Sequence, residues 1–341
     1  MAQRVTNGMM INTFNNNLFK NTAKMERYQA QLSTNRKIVR LSDDPVGIIK
    51  SVNARVKLAD IEQFNKNVDD ARAWMTSTET ALSEMNTVIK RAYELTVQAA
   101  NDTNGPDDLE AISHEIAQLR GHIIQIGNTT LGDKFIFGGY NATRQPFDVS
   151  NPDADPPVPL SLDDDKMTVW FNGSQDNDGF RDMIYDDTDF VYEADTVVNY
   201  EIGFGIYMDI GVGGATMMGV GEENLFKILN DLTDLLRGID GDGDEIVPGN
   251  TEIQPFIEKF QKAQNSILAT MADLGGRQNR LDLISDRYSQ DFINYTKMKS
   301  DVEDLDQAEA IMHFSMAEAV YRAALSVGAR IIQPTLVDFL R

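Results

Sequence analysis

Asp240-Gly241-Asp242-Gly243-Asp244-Glu245 is the stretch whose residue types come nearest to a chemical site. Alternate carboxylates can surround a hard cation, and calcium takes several oxygen ligands of this kind. A twelve-residue calcium loop wants Gly at its sixth position and Glu at its twelfth. Glu245 and Thr251 stand there instead. Asp240, Asp242 and Asp244 are therefore a weak metal candidate, and a flexible acidic turn between helices is the better reading. His114 and His122 can share a helix face, but their pattern lacks a third ligand and His313 is distant. They read as solvated or packing residues. The chain has no nucleophile elbow, no phosphate-binding glycine loop of the usual spacings and no HExxH motif. Gly211-Val212-Gly213-Gly214 follows a β-like stretch and lacks the helix and downstream acid of a dinucleotide site. Carboxylate pairs are too plentiful for any one to mark catalysis. The expectation is no catalytic residue, no cofactor and no enzyme.

Composition narrows the partners. The 341 residues carry a formal net charge of −22. An acidic surface repels nucleic acid and anionic lipid, so neither is expected as a partner. The acid is concentrated: between Asp148 and Asp209 there are sixteen Asp or Glu against Lys166 and Arg181, a net of −14. A solvated outer face is the reading favoured there. The absence of Cys removes disulfides, thiol catalysis and thiolate metal sites. No apolar run is long enough to span a bilayer, and Met-Ala-Gln-Arg-Val-Thr-Asn-Gly has no apolar signal core. Secretion, if it occurs, is expected without a cleaved signal peptide. A hydrophobic content of 42% allows ordinary cores.

The elements that must position any site are mostly helices. Ile11, Phe14, Leu18, Met25, Tyr28 and Leu32 fall on one apolar register, which predicts a first helix. Ser33 to Lys37 is polar and less periodic, and Ser42-Asp43-Asp44-Pro45 is a strong helix start. A second helix from Pro45 to Ala100 would extend about 80 Å at 1.5 Å per residue. Its seam reads Val68, Ala71, Met75, Thr78, Leu82, Met85, Ile89, Ala92, Thr96 and Ala99. Asn104-Gly105-Pro106 stops it. A third helix follows, with Leu109, Ile112, Ile116, Leu119, Ile123 and Ile126 on one face. From Gly132 the pattern turns to short strands: Lys134 to Tyr140, Met167 to Phe171 ending at Asn172-Gly173, Phe190 to Tyr192, Val197 to Ile202 and Ile206 to Ile210. Helix resumes after Asn224. The last long run begins near Pro255 and keeps Phe260, Ile267, Met271, Leu274, Leu281, Tyr288, Phe292, Tyr295 and Val302 in register. Gly275-Gly276 in that run marks a local bend or a close helix approach.

Near the end, Val302, Leu305, Met312, Met316, Val320, Ala323, Val327 and Ile331 form a stripe comparable to the first. The natural partner of the first helix is the last. Asn21 occupies a seam position, and a buried polar seam residue lowers stability while specifying register. Two readings stay open: a slightly imperfect helix, or terminal helices that order only when neighbours pack around them. The fold expected is mainly α with a β-rich insert, a long antiparallel helical-bundle rod built from both termini. Its layers are 1–41 plus 305–341 as a terminal coiled-coil domain, 42–134 plus 222–304 as a helical-bundle domain, and 135–221 as an acidic β-rich surface insert.

Several stretches carry a family resemblance. Gln31 to Ile38 and Ser42-Asp43-Asp44-Pro45, then Asn67 to Leu82 and Glu94 to Ala100, resemble the N-terminal signature of the flagellin superfamily. Leu274 to Leu281 and Ala323 to Arg330 resemble its C-terminal one. The resemblance covers roughly 1–140 and 222–341 and leaves the insert out. Within the superfamily, the Ser-Asp-Asp-Pro motif, the passage from Asn128-Thr129-Thr130 to Phe135–Tyr140 with Pro146-Phe147, and Asn224-Leu225-Phe226 resemble the hook–filament junction branch more than filament flagellin. The ending Leu336 to Arg341 is less decisive. The resemblance implies an extracellular structural part of the bacterial flagellum at the hook–filament junction. It implies type III export with an export chaperone, a ring of copies of this chain, and neighbours hook-associated protein 1 and flagellin. The assembly residues expected are Ile11, Phe14, Leu18, Met25, Tyr28 and Leu32, with Met312, Met316, Val320, Ala323, Val327 and Ile331. The alternatives are filament flagellin itself and a calcium-dependent surface protein.

Overall fold

The computed structural model describes residues 7–101, 104–139, 141–148, 150–151, 158–159, 169–171, 181–182, 198–219, 223–238 and 250–331. Among them the chain forms seven helices and nine short strands. The chain is mainly helical, with small β ladders between its N- and C-terminal helices, as the order of apolar patterns predicts. It divides into two compact units, Met1–Glu62 with Tyr288–Arg341, and Gln63–Arg287.

In the second unit the long seams are the core. Helix α2 (Pro45–Ala99) runs 55 residues. Every residue of its predicted seam from Val68 to Ala99 is buried, Thr78 and Thr96 included. The two threonine hydroxyls donate to the carbonyls one turn back, at 2.9 and 2.7 Å, so no polar group is stranded. Helix α3 (Pro106–Gly127) begins with proline at its first turn, where no amide donor is needed, and Asp107 and Asp108 complement its positive end. Arg91 pairs with Glu115 at 2.7 Å, and Glu84 lies 3.0 Å from His122. These pairings run in opposite directions along α2 and α3, so the two are antiparallel. Helix α6 (Asn250–Glu303) is antiparallel to α2 by the same logic: Arg72 meets Asp282 at 2.8 Å, and Gln261 donates to Tyr93 at 3.2 Å. Phe260, Ile267, Leu274, Leu281 and Tyr288 of the α6 seam are buried.

Helix α5 (Leu225–Leu236) packs on α3 and is capped by Asn224, whose side chain accepts from the amides of Phe226 and Lys227. Arg120 of α3 is buried beneath it. Its guanidinium donates to Asn230 at 2.5 Å and lies 5.8 Å from the Phe226 ring centroid. That pairing supplies the partner that a buried charge needs.

The β elements are small. Strands β1 (Thr130–Leu131) and β2 (Lys134–Phe135) pair, as do β4 (Ser150–Asn151) and β5 (Val158–Pro159). A three-stranded ladder orders β3 (Phe147–Asp148), β6 (Trp170–Phe171) and β7 (Arg181–Asp182). Strands β8 (Asn199–Gly203) and β9 (Ile206–Asp209) form a hairpin turning at Phe204-Gly205, with Phe204 92% exposed. Asn67 donates to the Glu201 carbonyl at 2.7 Å, and Arg277 pairs with the Asp209 carboxylate at 2.7 Å, so α2 and α6 hold the hairpin's stem. The expected strand at Phe190 to Tyr192 and the Asn172-Gly173 turn lie outside the described residues.

Three features differ from the sequence reading. Gly214–Met218 is a short helix, α4, in a stretch read as part of the β insert. A Cβ at Gly214 would collide with the Phe171 and Phe147 rings, so strand residues far away in sequence set its packing. Helix α6 begins at Asn250, with Pro255 inside it rather than at its start. Its Gly275-Gly276 pair makes no close approach, because a Cβ at either position would meet nothing within 4 Å.

Candidate assembly surface

The first unit contains both terminal helices. Helix α1 (Asn7–Thr34) packs against α7 (Gln307–Ile331). All six predicted residues of α1 (Ile11, Phe14, Leu18, Met25, Tyr28 and Leu32) are half-buried. Tyr28 stacks on His313 with ring centroids 5.5 Å apart and an interplanar angle of 12°. Phe14 lies over Gly328, where any Cβ would strike its ring. Asn21 is half-buried, and its amide nitrogen is enclosed without a partner among the described residues. An enclosed donor of this kind costs about 1–3 kcal/mol, so the terminal pair carries a built-in deficit.

On α7 the structure corrects the register. His313 and Gly328 meet Tyr28 and Phe14 of α1, and they share a face with Ala310 and Ala317, which are buried, and Tyr321 and Ala324, which are half-buried. The expected stripe of Met312, Met316, Val320, Ala323 and Val327 is exposed. It lies about 100° further round the helix. Met312, Met316, Val320 and Val327 are each more than half exposed. Ile331 ends the helix, and its side chain lies outside the described set. The physical reason is steric: a face of alanine and glycine lets the bulky side chains of α1 come close, and the Met/Val face is left over. Seven-residue spacing of Ala310, Ala317 and Ala324 is the signal that could have found the true contact face.

A second apolar surface was not anticipated. Leu41 and, on the first turns of α2, Val46, Ile49, Val52 and Val56 are half exposed or more. On α6 the buried seam ends at Tyr288, and Phe292, Ile293 and Met298 are exposed. Large apolar side chains left in water on successive turns mark an interaction surface more often than a lone exposed residue does.

The other candidates do not gather into a site. His114, His122 and His313 each sit beside one glutamate, Glu110, Glu84 and Glu309 respectively. Among the described residues no group of three or more His, Asp or Glu could hold a metal ion. Asp240, Asp242 and Asp244 lie outside the described residues. No helix of the described residues is long and apolar enough to cross a membrane.

Comparison with known proteins adds the rest. Residues 5–142 match the bacterial flagellin N-terminal helical region, and residues 257–340 the bacterial flagellin C-terminal helical region. Together the two regions span well over half of the chain. The chain is 23% identical to flagellar hook-associated protein 3 of Escherichia coli over 309 residues, covering 89% of this chain and 88% of that one. It is 25% identical to flagellin of Bacillus subtilis over 329 residues, covering 94% and 93%. Among solved structures it is similar in fold to the flagellar junction protein FlgL of Legionella pneumophila, with a TM-score of 0.53 and 12% identity over 76% of this chain and 100% of the other.

Proposed function

Because the chain belongs to the bacterial flagellin family, we propose that it is the adaptor that joins the flagellar hook to the filament. It is a structural protein of the flagellum and not an enzyme. In this reading copies of the chain form a ring outside the cell, with hook-associated protein 1 below and flagellin above. The chain leaves the cell unfolded, accompanied by an export chaperone.

The observation that carries the assembly mechanism is the uncovered Met312, Met316, Val320 and Val327 stripe on α7, beside a face already closed by α1. A free chain leaves that apolar surface in water. Neighbouring subunits that cover it gain roughly 25 cal/mol for each Å² removed from water. They also offset the deficit at Asn21, so ordering of the terminal pair is coupled to incorporation. The position at the junction is supported by the near full-length likeness to hook-associated protein 3 and by the Ser42-Asp43-Asp44-Pro45 motif.

A strain lacking this chain tests the position. It should build hooks and shed flagellin into the medium, and normal filaments in that strain would refute the adaptor role. The near full-length match to a flagellin favours a second reading, the filament subunit itself. Addition of purified chain to filament seeds separates the two, since a filament subunit elongates the seeds and a junction adaptor does not.

A further inference from the structure

The two helical breaks of the first unit fall at one level. The first, residues 35–44, separates α1 from α2, and the second, residues 304–306, separates α6 from α7. Asn35 turns the chain out of α1 with a left-handed φ of 51°, a conformation that asparagine tolerates better than most residues. Arg36 then pairs antiparallel with Asp304. The Lys37 amide donates to the Glu303 carbonyl at 2.8 Å. The buried Gln31 side chain donates to the Lys37 carbonyl at 2.6 Å, and Gln307 donates to the Asn35 side chain at 2.9 Å.

Glu303 is the last residue of α6 and is only 6% exposed. Its carboxylate is aimed at α2. It accepts the Ser51 hydroxyl, and Arg55 approaches it through Nε at 2.8 Å and Nη2 at 2.7 Å. Burial pushes the carboxyl up. The hydrogen bonds from Arg55 and Ser51, with the charges of Arg55 and Lys299, outweigh burial and hold it below the usual carboxylate range. One residue thus touches three elements: α6 by covalent continuity, α2 through its carboxylate and the 35–38 segment through its carbonyl.

We propose that Glu303 is a latch, locking the two helical breaks together so that its release frees the α1–α7 pair from the stem formed by the first turns of α2 and the last turns of α6. When the latch is closed, the backbone bridge at Arg36 and Asp304 is backed by the ion pair of the buried Glu303 carboxylate with the half-exposed Arg55 and by the buried Ser51 hydroxyl. When it is open, the two breaks keep the Lys37–Glu303 backbone bond, the Arg36–Asp304 bridge and the Gln307–Asn35 contact. The device belongs to the free chain and stands whichever place in the flagellum the chain occupies.

Hydrogen exchange on the full-length chain tests it, comparing wild type with E303Q and with R55Q. Glutamine keeps the size at 303 and removes the charge, and R55Q removes the cation from the other side. Amides of residues 35–40 should exchange at least tenfold faster in both variants, while those of α5, residues 225–236, keep their wild-type rates. Wild-type exchange at 35–40 in either variant, or equal acceleration in α5, would overturn the latch.

Discussion

At Glu303 burial favours the neutral carboxyl, and the hydrogen bonds from Arg55 and Ser51 outweigh it and favour the charged form. The charged groups around it are Arg55 on α2, Lys299 on its own helix, and Arg36, Lys37 and Asp304 at the breaks. Its folded pKa is depressed, so its stabilisation is present at neutral pH and disappears as pH falls below the ordinary glutamate range. Calorimetry should show E303Q about 1–3 kcal/mol less stable than wild type at neutral pH. The gap should close in acid, and a gap that persists at low pH would mean that the charge is not its source. Residue-scale legibility was uneven for a physical reason. Ile11, Phe14, Leu18, Met25, Tyr28 and Leu32 stand out by bulk, and bulk is what α1 turns toward α7. Ala310, Ala317 and Gly328 do the receiving, and small residues carry little hydrophobic weight in a periodic reading. Met312, Met316 and Val320 outweigh them in such a reading, and they lie on the face that α1 leaves uncovered. Glu303 had no sequence signal, because its partners are brought together only by the fold.

Among the elements, α2 and α3 could be read almost to the residue. The α2 seam has no slip from Val68 to Ala99, and Pro45 and Pro106 mark helix starts. Helix α4 could not be read, because aromatic rings from distant strands decide its packing at Gly214. At 304–306, between α6 and α7, bonds from the 35–37 segment replace helical ones. Gly275 and Gly276 lie within continuous α6, face open space and lack positive φ. Each costs the free chain about 1 kcal/mol relative to alanine. The G275A/G276A double variant should therefore melt at a higher temperature than wild type. A lower melting temperature would show that the pair serves a backbone geometry other than a regular helix.

For the whole molecule, the two-ended helical pattern predicted a chain whose terminal helices pair, and the structural role came from the resemblance of its end segments to the flagellin superfamily. The division at Glu62 and Tyr288 did not show in the sequence, because neither α2 nor α6 changes its helical pattern there. The assembly role makes a sharp demand on the α7 stripe. The variant M316D places a charge at the centre of that stripe, on a side chain 58% exposed in the free chain. Its melting should match wild type within about 0.5 kcal/mol, as for other exposed substitutions. Its incorporation into flagella, followed by immunoblotting of sheared filaments and hooks in a complemented strain, should be lost. Normal incorporation would remove the stripe from the interface. The β8–β9 hairpin has a practical consequence of another kind. Its stem is clamped by Asn67 and Arg277, while the Phe204 side chain at its tip is almost wholly exposed. Exposed turns of that kind accept inserted sequence with small cost to the fold. A peptide epitope spliced between Phe204 and Gly205 would be presented on a fixed mount, which makes this chain a scaffold for display.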